Sequence, residues 1–376
     1  MEDKIISADG HLDLFYLDKD IFTSRSPTKL KDRVPNVREI EGKPMWVGDG
    51  AIMGGHRAWM GRGPMTNHRG KRMQEAGWEP THPSNPKLRL KDLDIDGISK
   101  EVIYGIRFVE DSIKDPDVID ATYRAYNDFI AEFCEANPTR LIGIADIPAH
   151  SPESAALEIR RVGKNGLGLK GGLFDFVNCP NPIWHEMWEP LWIAAAEEEV
   201  SLSFHIGAGH GTTTVGPQSI QEKLARSIPK VSYAAHLAVV AIQADECLAS
   251  VMLCGALERH PSLKIVMAES HIGWIPYLLE RLDTKFKEGE YEGMIKTMPS
   301  LLFQKQIWAT FQDDKVGAHL AEEYAPDSFC WASDYPHMDG VWPDSRQFID
   351  QTMQGLNDTM KRKLTLENVT RLYNLS

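Results

Sequence analysis

Eight short runs with the composition of buried strands recur along this chain, and helical segments separate nearly all of them. The runs fall at residues 4–9, 100–105, 141–148, 166–174, 200–207, 263–271, 306–311 and 328–334. Between them, residues 117–137 and 184–199 carry apolar side chains at helical spacing, 234–260 reads as one long helix, and a further helix covers 276–283. Asn137-Pro138 stops the first of these, and Ser151-Pro152-Glu153-Ser154 places a cap and a first-turn proline on another. Eight β/α units close most simply into a parallel (β/α)8 TIM barrel, whose active site lies at the carboxyl ends of the strands. An open doubly wound sheet is the main rival, but no Gly-x-Gly-x-x-Gly turn follows the first strand.

The chain has 376 residues, a length that suits one large α/β barrel as well as two average domains. We read 1–376 as a single barrel domain, with a long insertion over 20–95 after the first strand and extra helices over 343–376. The insertion is rich in Gly, Pro, Trp and Met and contains His56, His68 and His82. Trp46, Met53, Trp59, Met60 and Met65 would suit an adaptable apolar wall, so the segment reads as a lid or substrate loop. A packing element on the outside of the barrel accounts for it equally simply.

A net charge of -13 without a Lys/Arg-rich run argues against nucleic-acid binding, which needs a basic surface. No apolar run reaches membrane-spanning length, and no signal core precedes the first strand, so the expectation is a cytoplasmic protein without a membrane partner. The five cysteines, Cys134, Cys179, Cys247, Cys254 and Cys330, are scattered without a Cys-x-x-Cys pair, as expected of reduced, mostly buried thiols.

The strand ends carry the chemistry. Asp9 and His11 are two apart, so on an extended chain they project to the same side; His205, His271 and Asp334 end the fifth, sixth and eighth strands. Imidazoles and carboxylates at one mouth are the donors of a divalent ion, and the absence of neighbouring thiols disfavours a structural zinc knot. A lone Asp-x-His pair is commonly a turn cap beside an ordinary histidine. Here three separated strands end in further donors.

The pattern resembles the amidohydrolase superfamily, and within it the branch of amidohydrolase-related decarboxylases acting on aminocarboxymuconate semialdehyde or hydroxybenzoates. The resemblance rests on Asp9-Gly10-His11, Ser203-Phe204-His205-Ile206-Gly207, His271-Ile272-Gly273-Trp274-Ile275-Pro276 and Ala332-Ser333-Asp334-Tyr335-Pro336-His337. It implies that Asp9, His11, His205 and Asp334 hold one divalent metal ion, zinc or manganese. It also implies that His271 polarises the substrate or transfers a proton beside the metal, and that Asp334 doubles as a proton carrier. The branch often has His-x-His or Glu-x-His at the first strand, where this chain has the shorter Asp9. The implied activity is non-oxidative decarboxylation of a small hydroxylated aromatic acid, with metal-dependent hydrolysis of an amide, ester or lactone as the alternative. The branch also implies a homodimer or larger homo-oligomer.

Other residues have plainer readings beside functional ones. Arg107 could pair with a substrate carboxylate or simply form an ion pair; His337 and Trp59 are candidate substrate contacts, and His337 with Asp339 could equally support the metal ligands. Lys170 reads as a wall residue, His210 as a loop histidine, and His236 as a pocket or packing residue. Asp146, Asp175 and Glu269 at strand ends raise a carboxylate-pair glycosidase as a more remote rival. A barrel that has lost its chemistry and serves as a binding partner is the non-enzymatic alternative.

Overall fold

A computed structural model describes residues 4–57, 68–107, 109–206 and 238–376. In chain order the strands are β1 (Ile6–His11), β2 (Asn36–Ile40), β3 (Lys43–Gly48), β4 (Ala51–Gly55), β5 (Lys100–Tyr104), β6 (Leu141–Gly143), β7 (Ala145–Ile147), β8 (Gly171–Phe174), β9 (Ser201–His205), β10 (Ile265–Ala268), β11 (Ile307–Phe311) and β12 (Phe329–Trp331). Parallel pairing runs β1-β5-β6 and β7-β8-β9-β10-β11-β12. β6 and β7 are one stave interrupted at Ile144, whose N–H donates to the Ile103 carbonyl at 2.9 Å. The ring closes between the first and last staves, where His11 N–H donates to Tyr335 O at 2.6 Å and Asp334 N–H to Asp9 O at 3.0 Å. All eight expected staves are present, as a closed parallel barrel.

Alternation along the staves builds two cores. Ile6, Ala8, Val102, Tyr104, Val266 and Ala268 face the barrel interior, while Ile5, Ile103, Ile265 and Met267 pack outwards against the helices. Val369, Leu372 and Tyr373 of the last helix, Asn368–Tyr373, join the interior cluster and form its floor. The helix expected from the Ser151 signal covers Pro152–Val162, and the Ser151 hydroxyl accepts from Ser154 N–H at 3.1 Å. The long helix expected over 234–260 is instead broken: helix Asp245–Leu253 ends and helix Ala256–Arg259 begins across Gly255, at φ +77°. A left-handed residue cannot continue a right-handed helix. Residues 234–237 lie outside the described residues.

The insertion has more structure than its composition suggests. β2, β3 and β4 form an antiparallel meander, turned by Glu41-Gly42 and Asp49-Gly50 with both residues of each pair at positive φ, the geometry of tight hairpins. Helix Pro86–Asp96, capped by Asn85 and ended at Gly97, runs beside β1 and β5. Its Arg89 is completely buried, pairs with Glu101 at 2.7 Å and donates to the His11 carbonyl at 2.8 Å. Trp78 and Asp92 reach Tyr335: Trp78 Nε1 donates to its hydroxyl at 3.1 Å, and the hydroxyl donates to Asp92. The insertion thus props the seam where the barrel closes.

Candidate metal centre

A break in the first strand's register aims Asp9 and His11. Ile6 and Ala8 face the barrel interior, so strict alternation would turn Asp9 and His11 outwards. Instead Ser7 pairs with Glu101 but Gly10 with Ile103, three residues against two, and this bulge reverses the facing. Gly10 is required there, because a Cβ would lie 2.2 Å from Glu101 Oε1 in the buried pair with Arg89. At two other strand ends the backbone turns sharply: Glu269, His271 and Asp334 adopt φ of +52°, +48° and +56°, which L-residues adopt only at some cost.

The donors converge. His11 Nε2 is 3.2 Å from Asp9 Oδ1 and 3.1 Å from Asp334 Oδ1. His205 Nε2 is 3.5 Å from both Asp9 Oδ2 and Glu269 Oε2. Asp9, His11, His205 and Asp334 are all buried. Yet Asp9 Oδ1, both Asp334 oxygens, both His11 nitrogens and His205 Nε2 have no hydrogen-bond partner among the described residues. So many unsatisfied buried acceptors at one point would be costly without a cation, and their chemistry fits a divalent ion. His205 Nδ1 lies 2.8 Å from the Ile206 carbonyl and 2.9 Å from Arg107 Nη1; in the tautomer whose Nδ1–H donates to the carbonyl, the Nε2 lone pair faces the cluster. Arg107 Nη1 donates to the same carbonyl at 3.0 Å.

Charge is arranged around the same point. Burial would raise the Asp9 and Asp334 carboxyls. The attraction of His205 and His11 nevertheless holds Asp9 well below the carboxylate range, and that of His337 and His11 lowers Asp334 to about 2. Burial, helped by the Arg107 charge, pushes His205 down to about 4, so it is a neutral donor at physiological pH. His337 moves the other way: burial opposes its charge, but Asp334 and Asp13 raise it well above the ordinary histidine value. Its Nε2 is 2.9 Å from Asp13 Oδ2 and its Nδ1 2.9 Å from Asp334 Oδ1. Burial and the charge of Asp334 raise the Glu269 carboxyl.

The structure therefore gathers the donors in two groups that share His11, one with Asp9 and His205 and the other with Asp334, His337 and Glu269, which the sequence reading weighed only for another chemistry. Asp13, which holds His337, continues the alternation Asp9-x-His11-x-Asp13 and could have been found from that spacing. His337 stacks on His11 with ring centroids 4.0 Å apart. Arg107 lies beside the cluster, 3.6 Å from Glu269 Oε2. No metal-ligand group among the described residues includes His271, although its buried Nδ1 has no hydrogen-bond partner there. Trp59, Met60, Met65, His210 and His236 lie outside the described residues. Asp146, within β7, accepts from the Ile106 N–H beyond β5, and Asp175 accepts from Val177 N–H in its own loop.

An amidohydrolase family model matches residues 110–375. The chain belongs to the amidohydrolase family. The match begins after the first strand, so Asp9 and His11 join the amidohydrolase portion through barrel closure. Among curated proteins, the chain is similar to gamma-resorcylate decarboxylase of Polaromonas sp. (strain JS666), with 26% identity over 266 residues, 64% of this chain and 73% of that protein. It is also 28% identical over 182 residues to gamma-resorcylate decarboxylase of Rhodococcus jostii (strain RHA1), spanning 49% of that protein and 44% of this amidohydrolase. Among solved structures, an amidohydrolase from Mycobacterium avium subsp. paratuberculosis K-10 superposes with a TM-score of 0.77 at 19% identity, covering 99% of this chain and 100% of that one. A dihydroxybenzoic acid decarboxylase from Polaromonas sp. JS666, with bound manganese and the inhibitor 2-nitroresorcinol, gives a TM-score of 0.64 at 17% identity over 99% and 97% of the two chains. These structures share the barrel of this amidohydrolase.

Proposed function

We propose that this amidohydrolase is a metal-dependent, non-oxidative decarboxylase of a small hydroxylated aromatic acid. The observation that carries the reading is the buried cluster of Asp9, His11, His205 and Asp334 with its unsatisfied donor atoms, in a chain whose curated relatives are named decarboxylases. These four residues would hold one divalent ion, zinc or manganese. When bound, such an ion supplies a Lewis acid that fixes a substrate oxygen and stabilises developing negative charge.

The remaining work falls to side chains. Asp334, kept ionised by His337, accepts the proton of a substrate hydroxyl and returns it to the ring carbon that carries the carboxylate. The carbon–carbon bond then breaks, its electron pair restores the aromatic ring, carbon dioxide leaves, and the phenolate product takes a proton from solvent. His271 offers its Nδ1, which has no hydrogen-bond partner among the described residues, to orient the substrate or transfer a proton. Arg107, already bonded to the Ile206 carbonyl, places a guanidinium where a carboxylate can be steered. His337 acts through Asp334, since both its ring nitrogens face carboxylates.

Other parts of the reading concern the whole protein. We take 1–376 as one functional domain, with the two helices His68–Glu75 and Pro86–Asp96 and the loop between them as a scaffold under the barrel seam and the rest of 20–95 as a substrate cover to which Trp59 contributes. Among the described residues no helix is long and apolar enough to cross a membrane. A cytoplasmic homo-oligomer taking a small-molecule substrate fits the family resemblance.

The test is carbon dioxide release from a panel of hydroxylated aromatic acids that includes gamma-resorcylate, with metal-reconstituted protein and Asp334→Asn. Metal-dependent release that falls by about 10²–10⁴-fold in the variant is expected, the range attributable to a positioned proton carrier. Firm metal binding with silence across the panel would move the assignment to hydrolysis of an amide, ester or lactone.

A further inference from the structure

Glu269 is the one carboxylate of the cluster that the first-strand and last-strand motifs do not supply. Its backbone sits in the left-handed region just beyond β10, and its N–H donates to Thr310 Oγ1 at 2.7 Å. The same threonine hydroxyl donates to Asp9 Oδ2 at 3.2 Å. One residue of β11 thus fixes the main chain of Glu269 and the carboxylate of Asp9 together. Glu269 Oε2 lies 3.5 Å from His205 Nε2, and a Glu269 oxygen, a His11 nitrogen, an Asp334 oxygen and a His337 nitrogen all lie within 4.8 Å of one another.

His337 is the weaker ligand candidate of that group, because Asp13 and Asp334 each sit 2.9 Å from one of its nitrogens. His205 Nε2 and Asp334 Oδ2, by contrast, are buried without a hydrogen-bond partner among the described residues. Resting on the metal-dependent reading, we propose that Glu269 is a fifth protein ligand, making the centre two imidazoles and three carboxylates, and that it weights the site towards manganese over zinc.

Zinc sites typically use four donors with a large nitrogen or sulfur share, whereas carboxylate-rich sets with more positions suit ions such as manganese. Three carboxylates around a divalent ion leave one negative charge in excess. The Arg107 guanidinium, 3.6 Å from Glu269 Oε2, offsets it. Glu269 also separates this chain's site from one built only on the Asp-x-His, His and Asp motifs.

The experiment is calorimetric titration of the chelator-stripped full chain with manganese chloride and with zinc chloride, comparing wild type with Glu269→Gln. A loss of at least about tenfold in manganese affinity, with a smaller loss for zinc, is expected. Manganese affinity unchanged within about twofold, or equal losses for the two ions, would overturn the proposal. Because the variant could also misfold, a crystal structure of manganese-loaded wild type gives an independent readout. A Glu269 oxygen about 2.2 Å from the ion supports the assignment, and a carboxylate beyond about 3 Å overturns it. Failure of wild type to take up either ion would instead remove the metal-dependent reading itself.

Discussion

His337 is held between two carboxylates, Asp13 on one nitrogen and Asp334 on the other, and its ring stacks on His11. That arrangement orients Asp334 through a charged imidazole, much as a carboxylate–histidine pair orients a metal ligand. Replacing Asp13 with Asn keeps the shape but removes the charge that holds the His337 proton. We expect Asp13→Asn to lower the rate of carbon dioxide release by about 10–100-fold while metal uptake persists, measured by turnover and metal titration on the same preparation. An unchanged rate would mean that Asp334 does not depend on the Asp13–His337 pair. Gly10 illustrates the same economy of space: no other side chain fits against the Arg89–Glu101 pair at that bulge.

The terminal helix Asn368–Tyr373 decides whether the barrel interior is closed from below. Tyr373 is buried, and its hydroxyl lies 3.4 Å from that of Tyr104, which in turn lies 3.1 Å from Ser203 Oγ. The Tyr104 ring lies under the metal cluster, its centroid 6.1 Å from that of His11 and 5.3 Å from that of His205. Removing the floor therefore disturbs both the core and the seat of His11 and His205. Tyr373→Ala should cost about 3–5 kcal/mol of stability, the usual range for emptying a buried aromatic site, whereas Tyr373→Phe should cost only about 1 kcal/mol for a lost hydrogen bond. Denaturant unfolding of both variants checks this, and equal losses would show that the hydroxyl, not the ring volume, matters.

Over the whole molecule, buried carboxyls away from the cluster set how stability follows pH. Burial raises Asp96 and Glu110 to about 7 and Asp146 to about 8. An acid that is protonated when folded but ionised when unfolded contributes stability that is lost as pH rises towards its folded value. His337, raised by its carboxylate partners, acts in the same direction above the ordinary histidine range. His205, lowered to about 4, opposes this only below about pH 6.5, where the unfolded chain takes up its proton. The melting temperature should therefore fall between about pH 6.5 and 8, and Asp146→Asn should flatten the fall, because a side-chain amide at that position has no proton to lose on unfolding. A variant with the same slope as wild type would remove Asp146 from the account.

Much of this architecture is written locally. Apolar runs of strand length, the caps at Ser151 and Asn85 and the stop at Pro138 act within a few residues, so eight β/α units can be read without knowing where any two meet. The same holds for Asp9, His11, His205 and Asp334, because a donor at a strand end in a barrel has only one mouth to face. The antiparallel meander is legible too, in the Glu41-Gly42 and Asp49-Gly50 turns, but the Gly- and Trp-rich composition around it obscures the signal. Three things were decided only when distant segments met. The one-residue bulge that turns Asp9 and His11 inwards depends on β5. The left-handed backbone that brings Glu269 to the cluster is held through Thr310 on the neighbouring strand. The burial of Arg89 depends on Glu101 and on the barrel seam. Each is a pairing or a strained backbone angle sustained by contacts across the fold, and no short window of sequence contains the groups that stabilise it.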